Sequence, residues 1–229
     1  MLTFIGVGPG DPELMTLKAV RLIQKADAIA LPDKGAALRI VGDLIEGKPL
    51  LELNLPMRGS RSDWESAHDH AATQLLNWLE RYENVAFPVL GDPGIYATGS
   101  YLLRRVRPHH PCVVVPGVPA MCAAAAALGM PLCEKGESLT VLDHLGEGDR
   151  LPQGNCVVMK ATNSLDSLRR EAAGREVRVV RNLGMDGEWL GALANVPTDR
   201  GSYFTTAIVP AVKASEARRA GGNGPDSES

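Results

Sequence analysis

The sequence GVGPGDP, Gly6–Pro12, closes the apolar run that begins at Leu2, and its reading decides the fold. Glycines at alternate positions after a strand-like run suggest a phosphate cradle. A dinucleotide fingerprint, however, needs G-x-G-x-x-G running straight into a helix whose free N–H groups hold the pyrophosphate. Here the third glycine arrives one residue early. Pro9 and Pro12 have no N–H to give, and Asp11 would repel a pyrophosphate. The next helix is expected only from Thr16, a suitable N-cap. Asp27 and Asp33 lie near the distance at which a ribose-binding acid is found. Nicotinamide or flavin binding therefore stays open on this loop alone, as does a turn with no ligand.

Beyond this loop, short apolar runs alternate with amphipathic stretches. LTFIGV precedes a helix over 16–25, AIALP a helix over 36–45, and PLLEL a long helix over 62–82 whose Trp64, Ala67, Ala71, Leu75 and Trp78 share one face. NVAFPVLGDPGIY, a helix to about Arg107 and CVVVPG follow. This alternation predicts βαβ units and a parallel sheet in an N-terminal α/β domain over 1–116. In the second half ESLTVL, NCVVMK, EVRVVRNLG and SYFTTAIV are strand-like with fewer helices between them, so an α/β domain with a mixed sheet is expected over 117–213. The tail over 214–229, rich in Gly, Ser and charge, is expected to be disordered.

Composition narrows the function. The chain has 229 residues, 45% hydrophobic and 22% charged, with a formal net charge of −3, which argues against a general nucleic-acid binder. No apolar run approaches a membrane span, and the chain starts on a strand-like run without a basic signal segment, so a soluble cytoplasmic protein is expected. Cys112, Cys122, Cys133 and Cys156 contain no C-x-x-C pair and read as buried free thiols, with no metal site expected.

Two further loops carry chemistry. LGDPGIY, Leu90–Tyr96, follows a strand and precedes a helix, which places it at the carboxyl edge of the sheet where ligands bind in open α/β folds. Asp92 there could accept hydrogen bonds from a ligand or cap the helix, and Pro93 suits a first helical turn. VVPGVPA, Val114–Ala120, repeats the pattern. The three loops imply one shared cleft with no nucleophile set and no phosphate-binding lysine, suited to binding and alignment.

GVGPGDPELMTLKAVRLIQKADAIALP, GDPGIYAT and VVPGVPA, in this order and at these separations, resemble the tetrapyrrole methylases. That resemblance implies two α/β domains with S-adenosylmethionine folded in a cleft between them, leaving as S-adenosylhomocysteine. It implies cofactor contacts at Pro9, Asp92, Ile95, Ala97, Thr98, Pro119, Ala120, Met159, Lys160, Leu183, Gly184, Thr205 and Thr206. Pro119 stands where the family often has serine or threonine, which removes one side-chain hydrogen bond. Gly8 and Gly10 would line the substrate side, and Asp11 and Tyr96 are the candidate general bases. Lys34, Arg58 and Arg61 are expected to meet the carboxylates of the tetrapyrrole.

Within the family, LELNLPM, ESAHDHAA, LGMPLCEKGESLTVL, VVMKATNS and RNLGMDGE point to methylation of precorrin-2, or its cobalt complex, at carbon 20 in corrin synthesis. The resemblance further implies a homodimer. The sequence leaves open another ring position, a dinucleotide-dependent oxidoreductase, and a binding module without turnover.

Overall fold

The computed structural model describes residues 1–32, 35–56, 60–172, 174–197 and 202–212, so the expected disordered tail lies outside the described residues. The chain divides into two compact units, Met1–Ala123 with Leu183–Met185, and Ala124–Asn182 with Asp186–Ser229. Both are α/β. Among the described residues no helix is long and apolar enough to cross a membrane.

The first unit is a parallel sheet of five strands: β1 (Leu2–Gly6), β2 (Ala28–Pro32), β3 (Leu50–Leu53), β4 (Val85–Val89) and β5 (Cys112–Val115), in spatial order β3-β2-β4-β1-β5. Its helices are α1 (Leu17–Lys25), α2 (Ala36–Val41), α3 (Arg61–Leu79) and α4 (Gly99–Val106). Every residue of β1 and β4 is buried, which is why these strands read as continuous apolar runs rather than alternating ones. Leu2 and Phe4 face one way, into a core with α3 and α4. Ile5 and Val7 belong to the opposite core, with α1 and α2. The chain therefore leaves β1 and β4, which are neighbours, toward opposite faces. That divergence opens a crevice at their carboxyl ends.

The helix starts follow local chemistry. Thr16 caps α1 as expected, its hydroxyl accepting from the Ala19 N–H at 3.1 Å. Ser60 and Asp63 form a reciprocal capping box that begins α3 one residue before its expected start. The helix ends at Leu79, short of the expected Tyr82, and its Ala71 and Leu75 are buried on the expected apolar face. Two expectations fail. The helix from Ala36 stops at Val41, where the chain tightens into a 3-10 turn over Gly42–Leu44. The helix expected directly after Pro93 begins only at Gly99, so Pro93 lies in the preceding loop.

The second unit holds β6 (Leu139–Leu142), β7 (Asn155–Val158), β8 (Arg178–Arg181), β9 (Trp189–Ala192) and β10 (Thr205–Val209), in order β6-β7-β10-β8-β9. The sheet is mixed, as expected: β6 and β7 are parallel and the remaining pairs antiparallel. The edge strand β9 was not expected, because its four residues are only half buried and include Gly191. A helix α5 (Ala120–Ala127) follows β5 in the chain, and α6 (Leu165–Glu171) packs with β7, β8 and β10 in the second core. All four cysteines are free, but only Cys156 is fully buried. Cys122 and Cys133 are exposed, contrary to expectation. Burial pushes the Cys156 thiol up.

Arg175 holds the second unit together at one end of its sheet. Its guanidinium donates to the carbonyls of Pro152 (2.6 Å), Gly154 (2.6 Å), Val209 (3.2 Å) and Pro210 (2.7 Å). This fork gathers the segment before β7 and the end of β10 on one planar group, and partial burial lowers the group's pKa. Arg175→Ala is expected to cost about 3 kcal/mol or more by stranding these carbonyls. Arg175→Lys should recover only part, because an ammonium lacks the fork. Urea denaturation of the three proteins checks both expectations.

Candidate active site

The site begins where β1 ends. Gly6 closes β1, and Val7 continues the ladder by donating to the Val89 carbonyl at 3.0 Å. Gly8 and Gly91 then form an isolated bridge, with Gly91 N–H donating to Gly8 O at 2.7 Å and Gly8 N–H to Gly91 O at 3.4 Å. A third backbone enters from the end of β5. A Cβ on Gly117 would stand 2.3 Å from Gly91 O and 2.8 Å from Gly6 Cα, and a Cβ on Gly6 would stand 2.5 Å from Gly117 N. Only hydrogen fits at either position. Three strand-end loops are thus in direct contact at the crevice.

Asp92 fastens two of these loops. One carboxylate oxygen accepts from the Gly94 N–H at 2.7 Å, turning its own loop. The other accepts from the Gly117 N–H at 2.9 Å, reaching the loop after β5. Because α4 starts at Gly99, Asp92 does not cap that helix. The backbone next passes through Tyr96, which is 44% exposed and has φ of 47°. Ile95, Ala97 and Thr98 flank it, Ala97 buried and Thr98 at the start of α4. Pro119 and Ala120 open α5, and Gly91 faces them: a Cβ there would lie 3.9 Å from Ala120 N. Pro119 has no N–H, and its carbonyl accepts from Cys122 and Ala123.

The opening loop is backed by a segment from far along the chain. A Cβ on Gly10 would stand 2.2 Å from Leu183 O, and one on Gly184 would stand 2.5 Å from Asp11 N. Leu183 and Gly184 are thereby brought to the GPGD turn, in the first unit. Gly8, Pro9 and Gly10 are buried, and Asp11 caps a 3-10 turn over Pro12–Leu14 by accepting from Glu13 N–H at 2.8 Å. In the first unit these contacts join the opening turn with Pro9 and Asp11, the loop of Asp92 and the loop that leads to Pro119 and Ala120, with Leu183 and Gly184 against the opening turn.

In the second unit, Met159 and Lys160 follow β7, while Thr205 and Thr206 begin β10, its antiparallel partner. The Thr205 hydroxyl is buried and donates to Ser202 O at 2.6 Å, and it lies 2.9 Å from the Thr162 hydroxyl. Lys160 has φ of 51°, and its Nζ lies 5.5 Å from the centre of the Tyr203 ring. Of the expected substrate contacts, Lys34 and Arg58 lie outside the described residues, and Arg61 is exposed at the first turn of α3.

Among the described residues, the non-glycine positions with left-handed φ are Tyr96, Lys160 and Asn182. Each lies in or beside a segment that the sequence assigns to the cofactor. Such conformations cost on the order of 1 to 3 kcal/mol, less for asparagine, and concentrate at ligand sites. Asn182 was missed by the sequence reading. Its side chain donates to Asp186 O (3.2 Å) and Gly187 O (3.4 Å) and accepts from the Ser202 hydroxyl, which fixes the turn leading into Leu183.

Asp27, a candidate ribose acid by spacing, stands at the wrong place. It precedes β2, at the amino edge of a parallel sheet, and its Oδ2 accepts from the Asn84 N–H at 2.8 Å. Asp33, the other candidate by spacing, lies outside the described residues. The opening turn is no pyrophosphate cradle, because Pro9 and Pro12 have no N–H to donate. The family model for Tetrapyrrole (Corrin/Porphyrin) Methylases matches residues 1–192.

The chain belongs to the tetrapyrrole methylase family. A precorrin-2 C(20)-methyltransferase of Sinorhizobium sp is 32% identical over 231 residues, spanning 91% of this chain and 94% of the relative. A cobalt-precorrin-2 C(20)-methyltransferase of Salmonella typhimurium is 32% identical over 144 residues, 60% of this chain and 61% of that protein's length. Among solved structures, a uroporphyrin-III C-methyltransferase of Thermus thermophilus complexed with S-adenosylhomocysteine superposes with a TM-score of 0.62 at 21% identity, covering 91% of each chain. That likeness shows the fold of this tetrapyrrole methylase.

The contact of Gly6, Gly91 and Gly117 gives a direct test. Gly117→Ala is expected to lower stability by roughly 1 to 3 kcal/mol through forced backbone shifts. Gly42→Ala, at a helical backbone position with open space around it, should raise stability by about 0.4 to 1 kcal/mol. Denaturant midpoints measure both, and equal effects of the two substitutions would contradict the tight contact.

Proposed function

We propose that this tetrapyrrole methylase transfers a methyl group from S-adenosylmethionine to carbon 20 of precorrin-2 or its cobalt complex, a step in corrin synthesis. The observation that carries this reading is the match to the Sinorhizobium sp precorrin-2 C(20)-methyltransferase along nearly the full length of both chains. The crevice supports it chemically. Pro9, Pro12 and Pro119 supply no N–H for phosphate, and Ala97, Thr98 and Ala120 are small, uncharged residues. A fold neighbour of this chain is recorded with S-adenosylhomocysteine.

In this reading the cofactor is met by Pro9, the loop of Asp92, Ile95, Ala97 and Thr98, Pro119 with Ala120, and Leu183 with Gly184. Met159, Lys160, Thr205 and Thr206 are assigned to the cofactor by the family resemblance alone. Bound S-adenosylmethionine supplies a sulfonium-activated methyl group. Carbon 20 is a meso position made electron-rich by the flanking pyrrole-type rings, so no protein nucleophile is needed. The loops orient the reacting groups and exclude water, and such alignment can contribute on the order of 7 to 11 kcal/mol at best. Asp11 and Tyr96 are the candidates to receive the proton released from carbon 20. Asp11 already uses one oxygen in its cap. Gly8 and Gly10 border the substrate side, and Arg61, with Lys34 and Arg58, is assigned to its carboxylates.

Calorimetry should show binding of S-adenosylhomocysteine and no appreciable binding of NAD. The product formed from precorrin-2, and from its cobalt complex, should carry one new methyl at carbon 20 by mass spectrometry and NMR. Tight NAD binding with no response to S-adenosylhomocysteine would reject methyl transfer, and a methyl on another ring carbon would reject the assigned position. We also assign the enzyme to the cytoplasm as a homodimer, following its family. Exposed Val113 and Val114 on the edge strand β5 are compatible with self-association. Light scattering at micromolar concentration should report twice the monomer mass, and a monomer there refutes the dimer.

A further inference from the structure

We propose that Asp92 acts on the methyl-transfer site as a positioning residue, setting the spacing between the loop after β4 and the loop after β5, and that its effect on the cofactor passes through those loops. Its carboxylate is already committed to protein donors, one oxygen to Gly94 N–H at 2.7 Å and the other to Gly117 N–H at 2.9 Å. Charge-assisted bonds of this kind are the stronger class. They act where the backbone has no slack, since Gly91 O would be 2.3 Å from any Cβ on Gly117. On one side of this staple the chain climbs through the left-handed Tyr96 toward Ala97 and Thr98. On the other it runs to Pro119 and Ala120. A loop segment held in a costly conformation keeps it only while its anchors are fixed. Asp92 is the anchor shared by both loops, and its own main-chain carbonyl receives Ile95 N–H at 3.3 Å.

The identity of the ligand rests on the proposed function above, whereas the staple itself does not. This separates the two in experiment. The full chain would be compared with Asp92→Asn and Asp92→Ala. Asparagine keeps one acceptor oxygen but sets an amino group against the second N–H donor. In the ligand-free protein, amide exchange followed by NMR should accelerate at Gly117 by roughly 10- to 100-fold in Asp92→Ala, and by less in Asp92→Asn. The urea midpoint of Asp92→Asn should fall by less than that of Asp92→Ala, because asparagine keeps one of the two bonds.

Calorimetry would then use S-adenosylhomocysteine, its 2′-deoxy analogue and 5′-methylthioadenosine, which lacks the amino-acid part. A positioning role predicts that each variant loses the same factor, about 10-fold or more, for all three ligands. If the loss disappears for the ligand lacking either the 2′-hydroxyl or the amino acid, Asp92 binds that group directly and the proposal fails. Unchanged exchange at Gly117 in both variants also overturns it. Should Asp92→Ala not fold, Asp92→Asn carries the exchange and binding arms alone. Should the parent bind none of these ligands, the methyltransferase reading falls, while the exchange arm still decides whether Asp92 fixes the two loops.

Discussion

The first unit depends on a place where three backbones touch without side chains between them. Gly6 ends β1, Gly91 follows β4, and Gly117 follows β5, and their atoms approach to distances that exclude a methyl group. Parallel strands alone would leave these ends splayed, because each is followed by a loop leaving for its own helix. The glycines let the loops close instead. The Gly8–Gly91 bridge then adds a short antiparallel contact beyond the end of the parallel sheet. The same absence of Cβ atoms recurs one layer out, where Gly10 and Gly184 let the segment Leu183–Met185 lie on the opening turn. The crevice is therefore lined by main chain held at fixed spacing. Among the described residues these loops carry several prolines and small side chains.

Much of this architecture was readable from residues because it is locally encoded. Strands buried on both faces must be apolar throughout, so β1, β2 and β4 stand out between amphipathic helices, and β5 is apolar although Val113 and Val114 on this edge strand are exposed. Thr16 announced α1, since a hydroxyl one residue before an apolar-periodic run has a defined use. The failures share a cause. The helix after GDP could not be placed correctly because Asp92 looks like a cap in sequence. Its partner across the fold, Gly117, is 25 positions away. The edge strand β9 is half buried and broken by a glycine, so its pairing with β8 is dictated by the partner and not by its own pattern. Asn182 gives no signal at all in one sequence, although its left-handed backbone and side-chain bonds direct the chain into Leu183.

The basic residues show a different limit. Spacing placed Lys34, Arg58 and Arg61 after strands at one edge of the sheet, which follows from topology. Arg61 is in fact the first residue of α3 and exposed, a position fixed by the capping box of Ser60 and Asp63 and therefore by helix initiation. A side chain there has its helix register set for it, and any contact with a carboxylate must be made within that register. Asp27 is the converse case, a residue at a suggestive distance along the chain that the sheet carries to the opposite edge.

Methyl transfer from a sulfonium to an electron-rich carbon asks little of acid–base chemistry and much of alignment, since the electrophile and the nucleophile are both supplied by the reactants. A site made for that task should invest in rigidity of its backbone, and this is where the structure spends its strain. Tyr96, Lys160 and Asn182 adopt backbone conformations that an L-residue normally avoids, each beside a segment assigned to the cofactor. A flexible loop would relax such residues at once. They persist because hydrogen bonds and close contacts over-determine the loops around them: Asp92 to Gly94 and Gly117, Asn182 to Asp186 and Gly187. The opening GVGPGD turn belongs to the same scheme. Pro9 within it and Pro12 just after it remove donors that a pyrophosphate would need, and they restrict φ beside the close contacts of Gly10 and Asp11 with Leu183 and Gly184.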